Sequence, residues 1–175
     1  MHILDTLDYL KTGNSKQQAV YQLLIAHAVF NKLESFTPIL TGTIPINVDI
    51  DNSDLDIACH WIDKTIFKNV LTTEFAQYEN FMLEQKSINQ VETILCSFTL
   101  DNFKLEIFGQ NKPTKTQDSY QHMIMEYEIL KIYGEDFRQQ IVQLKRSGYK
   151  TEPAFAQLLQ LKGNPYEALL HYKIP

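Results

Sequence analysis

The chemistry that this sequence can support starts with Asp54 and Asp56, two carboxylates spaced two residues apart. They lie in residues 53–59, where polar and apolar side chains alternate as in a half-buried β-strand, so both carboxylates point to one face. Like charges this close repel each other unless water or a cation neutralises them, and one divalent cation neutralises both. A solvent-facing strand whose acids only raise solubility explains the pair equally well.

A third carboxylate favours a metal site. Glu106 lies in residues 103–108, a second alternating segment that places it on one face with Lys104 and Phe108. If this strand pairs with residues 53–59, Glu106 projects next to both aspartates. Three carboxylates from adjacent strands can hold one or two Mg²⁺ (or Mn²⁺) ions, and two such ions assist in-line displacement at phosphorus. The pattern therefore predicts phosphoryl or nucleotidyl transfer.

The loop before the aspartates offers a phosphate contact. Gly42 follows a short predicted strand and lets the backbone approach an anion, while the hydroxyl and amide of Thr43 can both donate to a phosphate oxygen. Taken alone, a Gly-Thr pair after a strand is more commonly just a turn. Residues 44–53 contain no Lys or Arg, so the charge of a polyphosphate must be met from elsewhere.

Basic residues near the C-terminal end are the candidates for that charge. No acid lies between Asp136 and Glu152, and this stretch holds Arg138, Lys145, Arg146 and Lys150. If the C-terminal helices fold over the sheet, Lys145 or Arg146 can reach the phosphates. For any single one of these residues, we favour a solvent-exposed position over a phosphate contact. The predicted helix ends near Gly148, where cations complement the helix dipole.

Hydrophobic periodicity predicts the elements that position these residues. Strands are predicted at residues 37–41, 53–59, 81–87, 92–100 and 103–108, the last two joined by a tight turn at Asp101-Asn102. Helices are predicted before Gly13 and at residues 15–33 (capped by Ser15), 63–77, 118–133, 135–146, 153–161 and 165–172, the last two capped by Thr151 and Asn164. The fold class is α+β: a mixed sheet of about five strands packed with helices, and a helical C-terminal third.

Composition limits the class of protein. The chain has 175 residues, is 44% hydrophobic and carries a net charge of −5, which predicts one globular domain over residues 1–175: helices at 1–36, a sheet core at 37–110 and a helical subregion at 111–175. No apolar run approaches the roughly 20 residues of a membrane span. Cys59 and Cys96 are expected to be buried thiols in a reducing cytoplasm.

Charge is unevenly distributed. Residues 1–110 hold 14 acids and 7 bases, whereas residues 111–175 hold 7 acids and 9 bases. The acidic first part disfavours a long nucleic acid as a partner, because phosphate binding needs Lys and Arg.

His122 and Glu126, four residues apart on a predicted helix, can line an acceptor pocket, although such pairs more commonly form a surface hydrogen bond. His27 is expected to be partly buried, and Trp61 to anchor the end of the Asp-x-Asp strand.

The residues above resemble the signature of the polymerase-beta-like nucleotidyltransferase superfamily. Its pattern of apolar strand, Gly-Ser, short spacer and Asp-x-Asp strand is matched here by Leu40-Thr41-Gly42-Thr43, ten residues, and Asp54-Leu55-Asp56-Ile57. Glu106, between Leu105 and Ile107, resembles the superfamily's third carboxylate. Longer strings are similar to an uncharacterised bacterial family within it: GTIPI at 42–46, SDLDI at 53–57, EIFGQ at 106–110 and NPYEALL at 164–170.

The resemblance implies roles for individual residues. Asp54 and Asp56 would coordinate Mg²⁺ shared with the phosphates of a nucleoside triphosphate, and Glu106 would bind a second metal ion and activate an acceptor hydroxyl. Gly42 and Thr43 would hold the phosphate tail, with Ser53, Lys145 and Arg146 as further substrate-binding residues. Two departures are the Thr43 in place of Ser and the absence of basic residues from the spacer.

These observations predict an enzyme that transfers a nucleoside monophosphate from a nucleoside triphosphate to an acceptor hydroxyl. A small molecule, a protein side chain and an RNA end all stay open as acceptors, with a long nucleic acid the least favoured. The alternative is a module of the same fold that senses a nucleotide or binds a protein without turnover. The three carboxylates favour the enzyme, and the missing spacer cations favour the module. Pyrophosphate transfer or nucleotide hydrolysis at the same metal site is a third possibility. The sequence identifies neither the acceptor nor the preferred base.

Overall fold

A five-stranded mixed sheet forms the centre of the protein. The computed structural model describes residues 2–174. The strands are β1 (Ile39–Thr41), β2 (Leu55–His60), β3 (Glu79–Ile88), β4 (Val91–Leu100) and β5 (Phe103–Gln110). Their order is β1-β2-β5-β4-β3; β2 pairs with β5 in parallel, and the other neighbours are antiparallel. This confirms the predicted α+β class, including the hairpin at Asp101, whose φ of 49° suits a tight turn.

Helices precede, interrupt and follow the sheet. They are α1 (Ser15–Ala26), α2 (Val29–Lys32), α3 (Lys64–Phe75), α4 (Asp118–Arg146), α5 (Thr151–Leu158) and α6 (Pro165–Leu170), with 3₁₀ turns at Ile3–Asp5, Asp8–Thr12, Glu34–Phe36 and Thr114–Thr116. Within α4, Gly134 adopts φ 75° and ψ −166°, which breaks the helix where the sequence predicts a boundary between two helices. None of the helices within residues 2–174 has the length and apolar character needed to span a bilayer.

Three predicted helix features are wrong. The predicted helix over residues 15–33 is interrupted, because Ala28 takes a left-handed conformation (φ 50°) that ends α1 and separates α2. The cap of α1 is Asn14, not Ser15, and its side chain accepts a hydrogen bond from the Gln17 amide. Thr151 is the first residue of α5 and not its cap. The predicted Asn164 cap of α6 is confirmed.

The apolar side of the sheet packs on α1 and α3. Alternate residues of β2 and β5, among them Ile57 and Ile107, are fully buried against α3 side chains such as Phe67. Burial at about 25 cal/mol per Å² fixes the register, because a slip of one residue would move these side chains into water. The residues between them, Asp56 and Glu106, therefore belong to the opposite face.

The opposite face of the sheet lies beneath α4 and α5. A second apolar cluster joins β1 and the following loop to these helices through residues such as Ile39, Val48 and Phe155. The start of α4 is tied to the sheet because Gln117 Nε2 donates to the Cys59 carbonyl at 2.8 Å.

Cys59 and Cys96 are both buried and free, as expected, and burial raises the pKa of each thiol.

Candidate functional site

The three predicted carboxylates meet at the β2–β5 pair. In the parallel register, Asp56 lies opposite Glu106. Asp54 precedes β2 by one residue and so lies just outside the strand. The condition on which the metal-site prediction depended is therefore met: the two strands are neighbours, and their polar residues share one face.

Lys104 joins two of these carboxylates. Its Nζ lies 2.9 Å from Asp54 Oδ2 and 2.7 Å from Glu106 Oε1. Hydrogen bonds with Glu106 and Asp54 raise the pKa of the Lys104 ammonium. The alternation of β5 places Lys104 on this face, but its spacing of two residues from Glu106 carried no signal that it bridges the carboxylates. A cation is thus already held between Asp54 and Glu106.

Asp56 lacks such a cation at its own carboxylate. Its pKa is raised to about 7, first by burial and then by the charges of Glu106 and Asp54, whereas Lys104 and Lys145 oppose the shift. The all-oxygen set of three carboxylates is the type that Mg²⁺ and Mn²⁺ prefer. The chemistry of these donor atoms therefore suits a divalent cation, which would stabilise the ionised form of Asp56.

Gly42 touches the Asp56 carboxylate. Its φ is +78°, and a Cβ at this position would lie 2.3 Å from Asp56 Oδ2. Only glycine accommodates both the backbone conformation and this close approach. The loop that follows is held in place by Gln17, whose Nε2 donates to the Ile44 carbonyl at 2.9 Å. The Gly42-Thr43 turn thus lies directly beside the carboxylates.

Ser53 has a local structural contact. Its Oγ accepts a hydrogen bond from the Ile50 amide at 2.9 Å, closing a turn in the loop before β2. In the same loop, Asp49 pairs with Lys16 at 2.9 Å. The hydroxyl of Ser53 is therefore engaged within the loop, and its predicted contact with substrate stays a prediction.

A cavity of about 240 Å³ opens between the sheet and the helices. Its sheet side includes Gly42, Thr43, Asp56 and Glu106, and its helix side includes side chains from α4 and α5. This volume is below the roughly 300–1,000 Å³ typical of ligand pockets, so it suits a small group or part of a larger ligand.

The helix wall of the cavity includes His122, Glu126 and Glu152. The expected surface position of the first pair is wrong, because His122 is 7% exposed and Glu126 only 3%. Burial, followed by the charge of Glu152, raises the pKa of Glu126 well above its usual range, while Lys145 opposes the shift. Burial also lowers the pKa of His122. Glu152 was missed as a site residue, since its position at the start of α5 is not distinctive in sequence.

The two basic residues of α4 that were predicted to bind substrate, Lys145 and Arg146, lie in different environments. Lys145 is buried, and its charge acts on Asp56 and Glu126, so the favoured solvated position is wrong for this residue. Arg146 is exposed and lines a separate cleft of about 680 Å³ with Lys16 and Arg138. Adjacent residues on a helix point about 100° apart, so Lys145 can be buried while Arg146 is exposed.

Comparison with solved structures supports the fold assignment. The chain has a polymerase-beta-like nucleotidyltransferase fold: it matches the Cid1 RNA terminal uridylyl transferase (TM-score 0.52, 11% identity, 79% of this chain and 40% of that one). It also matches a Cid1 poly(U) polymerase variant bound to MgATP (0.53, 13%, 88% and 47%) and the polymerase core of the TRAMP RNA surveillance complex (0.53, 10%, 90% and 49%). The chain spans less than half the length of these proteins.

The sequence itself places the chain in a family. The chain belongs to DUF4269, described as a domain of unknown function, whose model matches residues 22–172. A search of curated proteins gave no match.

Proposed function

We propose that this protein is a Mg²⁺-dependent nucleotidyltransferase that transfers a nucleoside monophosphate from a nucleoside triphosphate to a hydroxyl acceptor, releasing pyrophosphate. The observation that carries the proposal is the pairing of Asp56 with Glu106 in adjacent parallel strands, beside Gly42. Solved structures of the same fold include one bound to MgATP and one bound to Mg 3'-dATP, which supports a magnesium nucleotide as the ligand. The buried free thiols suit a reducing cytoplasm.

In this proposal, Asp54, Asp56 and Glu106 would hold the metal ion. A bound Mg²⁺ supplies charge neutralisation and orients the phosphates for in-line displacement. Gly42 lets the backbone approach the phosphate tail, and Thr43 donates from its amide and hydroxyl. The site works mainly by positioning and by electrostatic stabilisation.

In this proposal, Lys104 and Lys145 supply the positive charge that residues 44–53 lack. Lys104 lies between Asp54 and Glu106, and the charge of Lys145, a buried residue of α4, acts on Asp56. A triphosphate would offer both ammonium groups a stronger partner than carboxylates that are also binding a metal ion. We therefore assign Lys145, and not Arg146, to the phosphate side of the site.

The acceptor side would be the wall formed by α4 and α5. Its cavity of about 240 Å³ suits a small molecule or a single protein side chain. The matched solved structures include RNA terminal transferases, but identities of 10–13% support the fold alone. The net charge of −5 does not favour a long nucleic acid.

One observation favours the alternative of a binding module without turnover. The Lys104 ammonium holds the position between Asp54 and Glu106 that a second metal ion would need. If Lys104 stays there when nucleotide binds, only one metal ion can enter, and the acceptor hydroxyl would lack activation. Such a protein would bind a nucleotide and respond to it without transferring it.

A thermal-shift experiment tests the binding step. Wild type and Asp56→Asn are compared with each ribonucleoside triphosphate, with and without Mg²⁺ or Mn²⁺. A ligand at 100 times its Kd stabilises by ~2.7 kcal/mol, and for this chain length each kcal/mol shifts Tm by roughly 2–4 °C. A metal-dependent shift that disappears in folded Asp56→Asn supports the site. An equal shift in both proteins would refute it.

Product analysis then separates the proposed enzyme from its alternatives. Transfer releases pyrophosphate and leaves a nucleoside monophosphate on the acceptor, pyrophosphate transfer releases AMP or its equivalent, and hydrolysis needs no acceptor. Nucleotide binding with no product over a panel of hydroxyl acceptors would favour the binding module.

A further inference from the structure

Unpartnered polar groups concentrate in one cavity of this protein. Within residues 2–174, six buried side-chain N or O atoms lack a hydrogen-bond partner, and three of them belong to residues that line the cavity above Asp56: Ser119, His122 and Glu126. A buried polar group without a partner is costly, and native structures keep few of them. Three such groups in one small space indicate that a polar ligand belongs there.

The three residues occupy one face of α4. Ser119, His122 and Glu126 are spaced by three and four residues, so they follow one another along the helix surface. His122 and Glu126 are both more than nine-tenths buried. Glu152, at the start of α5, completes the wall from the next helix, and the Tyr166 ring packs edge-on against His122 with ring centroids 6.1 Å apart.

The donor atoms are close enough to share one ion. One ligand atom from each of His122, Glu126 and Glu152 lies within 4.8 Å of the other two. Metal–ligand distances of ~2.0–2.2 Å place the ligand atoms of a tetrahedral site roughly 3.3–3.6 Å apart. Small rotations of the side chains would therefore bring all three onto a single cation.

The chemistry of the donors separates this group from the strand carboxylates. One imidazole nitrogen with two carboxylate oxygens suits Zn²⁺, Mn²⁺ and related transition metals, whereas Mg²⁺ prefers oxygen ligands alone. The cavity also contains the carboxylates of Asp56 and Glu106, so its charge attracts cations. Lys145 is the cationic residue that acts on Glu126 from α4, and it would have to turn toward the phosphate side when an ion enters.

We propose that His122, Glu126 and Glu152 form a second divalent-cation site, which binds a transition metal such as Zn²⁺ in the helix wall of the cavity. The three protein ligands would leave the remaining coordination position facing the cavity. This site is distinct in residues and in metal preference from the proposed Mg²⁺ site on β2 and β5, and it does not depend on nucleotidyl transfer.

The test is a Zn²⁺ titration by calorimetry, on full-length, tag-free protein that has been stripped of metal and supplied with excess Mg²⁺. Wild type is compared with Glu126→Gln and His122→Asn. Glu128→Gln is the matched control, because Glu128 lies on α4 in an exposed ion pair with Lys131. Folding of each variant is checked by circular dichroism, and Co²⁺ absorption spectra report the coordination geometry.

The proposal predicts one bound Zn²⁺ per chain in wild type and in Glu128→Gln. Affinity should fall at least ~10-fold in folded Glu126→Gln and in His122→Asn, since each loses a direct ligand. No Zn²⁺ binding to wild type, or unchanged binding in both variants, would overturn it. Asp56→Asn should keep Zn²⁺ while losing the Mg²⁺–nucleotide shift, so failure of one proposal is distinguishable from failure of the other. Loss of Zn²⁺ in Asp56→Asn alone would place the ion on the strands and refute the helix site.

Discussion

Gly42→Ala is expected to separate the stability of the fold from the function of the site. Residue 42 has a φ of +78°, where an alanine is strained by about 1–2 kcal/mol. The added Cβ would also lie 2.3 Å from Asp56 Oδ2. That oxygen is at the end of a side chain that can rotate, so the overlap should displace the carboxylate and not disrupt the fold.

Gly163→Ala provides the matched control. Gly163 has a φ of +89°, but a Cβ there would meet no atom within 4 Å. Both variants should therefore lose about 1–2 kcal/mol of stability, or roughly 2–8 °C in Tm. Only Gly42→Ala should move the Asp56 carboxylate.

The two variants should differ in ligand response. At a concentration 100 times the wild-type Kd, the nucleotide with Mg²⁺ stabilises by ~2.7 kcal/mol, and a tenfold weaker Kd reduces this to about 1.4 kcal/mol. We expect Gly42→Ala to lose at least half of the metal-dependent shift and Gly163→Ala to keep all of it. An undiminished shift in Gly42→Ala would refute the proposed role of the Asp56 carboxylate in binding. An equal loss in both variants would attribute the effect to strain alone.

Three further changes test other parts of the structure. Lys104→Gln should tighten Mg²⁺ binding measured without nucleotide, because it removes the cation that competes for two carboxylates; weaker binding would contradict this competition. Lys145→Gln should weaken triphosphate binding, whereas Arg146→Gln, which alters the adjacent exposed residue, should not; equal effects would refute the assignment. Burial alone would raise the pKa of Asp5, but hydrogen bonds led by Lys115 hold it at about 2. A lowered pKa stabilises the fold above the unfolded value near 4, so melting curves should show this stability lost between about pH 4 and pH 2, and Asp5→Asn should remove that dependence.

The strand half of the site could be predicted because its signals are local. Alternation in residues 53–59 and 103–108 determines which side chains share a face. The apolar residues that alternate with the carboxylates must stay buried, and this fixes the register of each strand. The placement of Asp56 beside Glu106 depended on one long-range fact, the β2–β5 pairing, and this could only be stated as a condition. The roles of these carboxylates remain predictions.

The helix half could not be predicted with the same success. A pair spaced four residues apart has the same pattern on a surface and in a cavity, so the burial of His122 and Glu126 depends on where α4 packs. The break at Ala28 likewise has no local signal, since alanine favours helix and the apolar periodicity continues through it. Lys145 and Arg146 were equivalent in sequence until the rotation of α4 was known.

The two halves of the site are held by different interactions, and this bears on how the family can vary. The carboxylates lie at paired positions of a hydrogen-bonded ladder, where a shift would expose apolar side chains such as Ile57. The helix wall is positioned through the start of α4, where buried Gln117 donates to carbonyls of Cys59 and Lys112. Substitutions along α4 and α5 can therefore reshape the cavity and its ligands while the carboxylates stay fixed. Under the two proposals, a change of acceptor or of the second cation would accordingly alter residues such as Glu126 and leave the sheet unchanged.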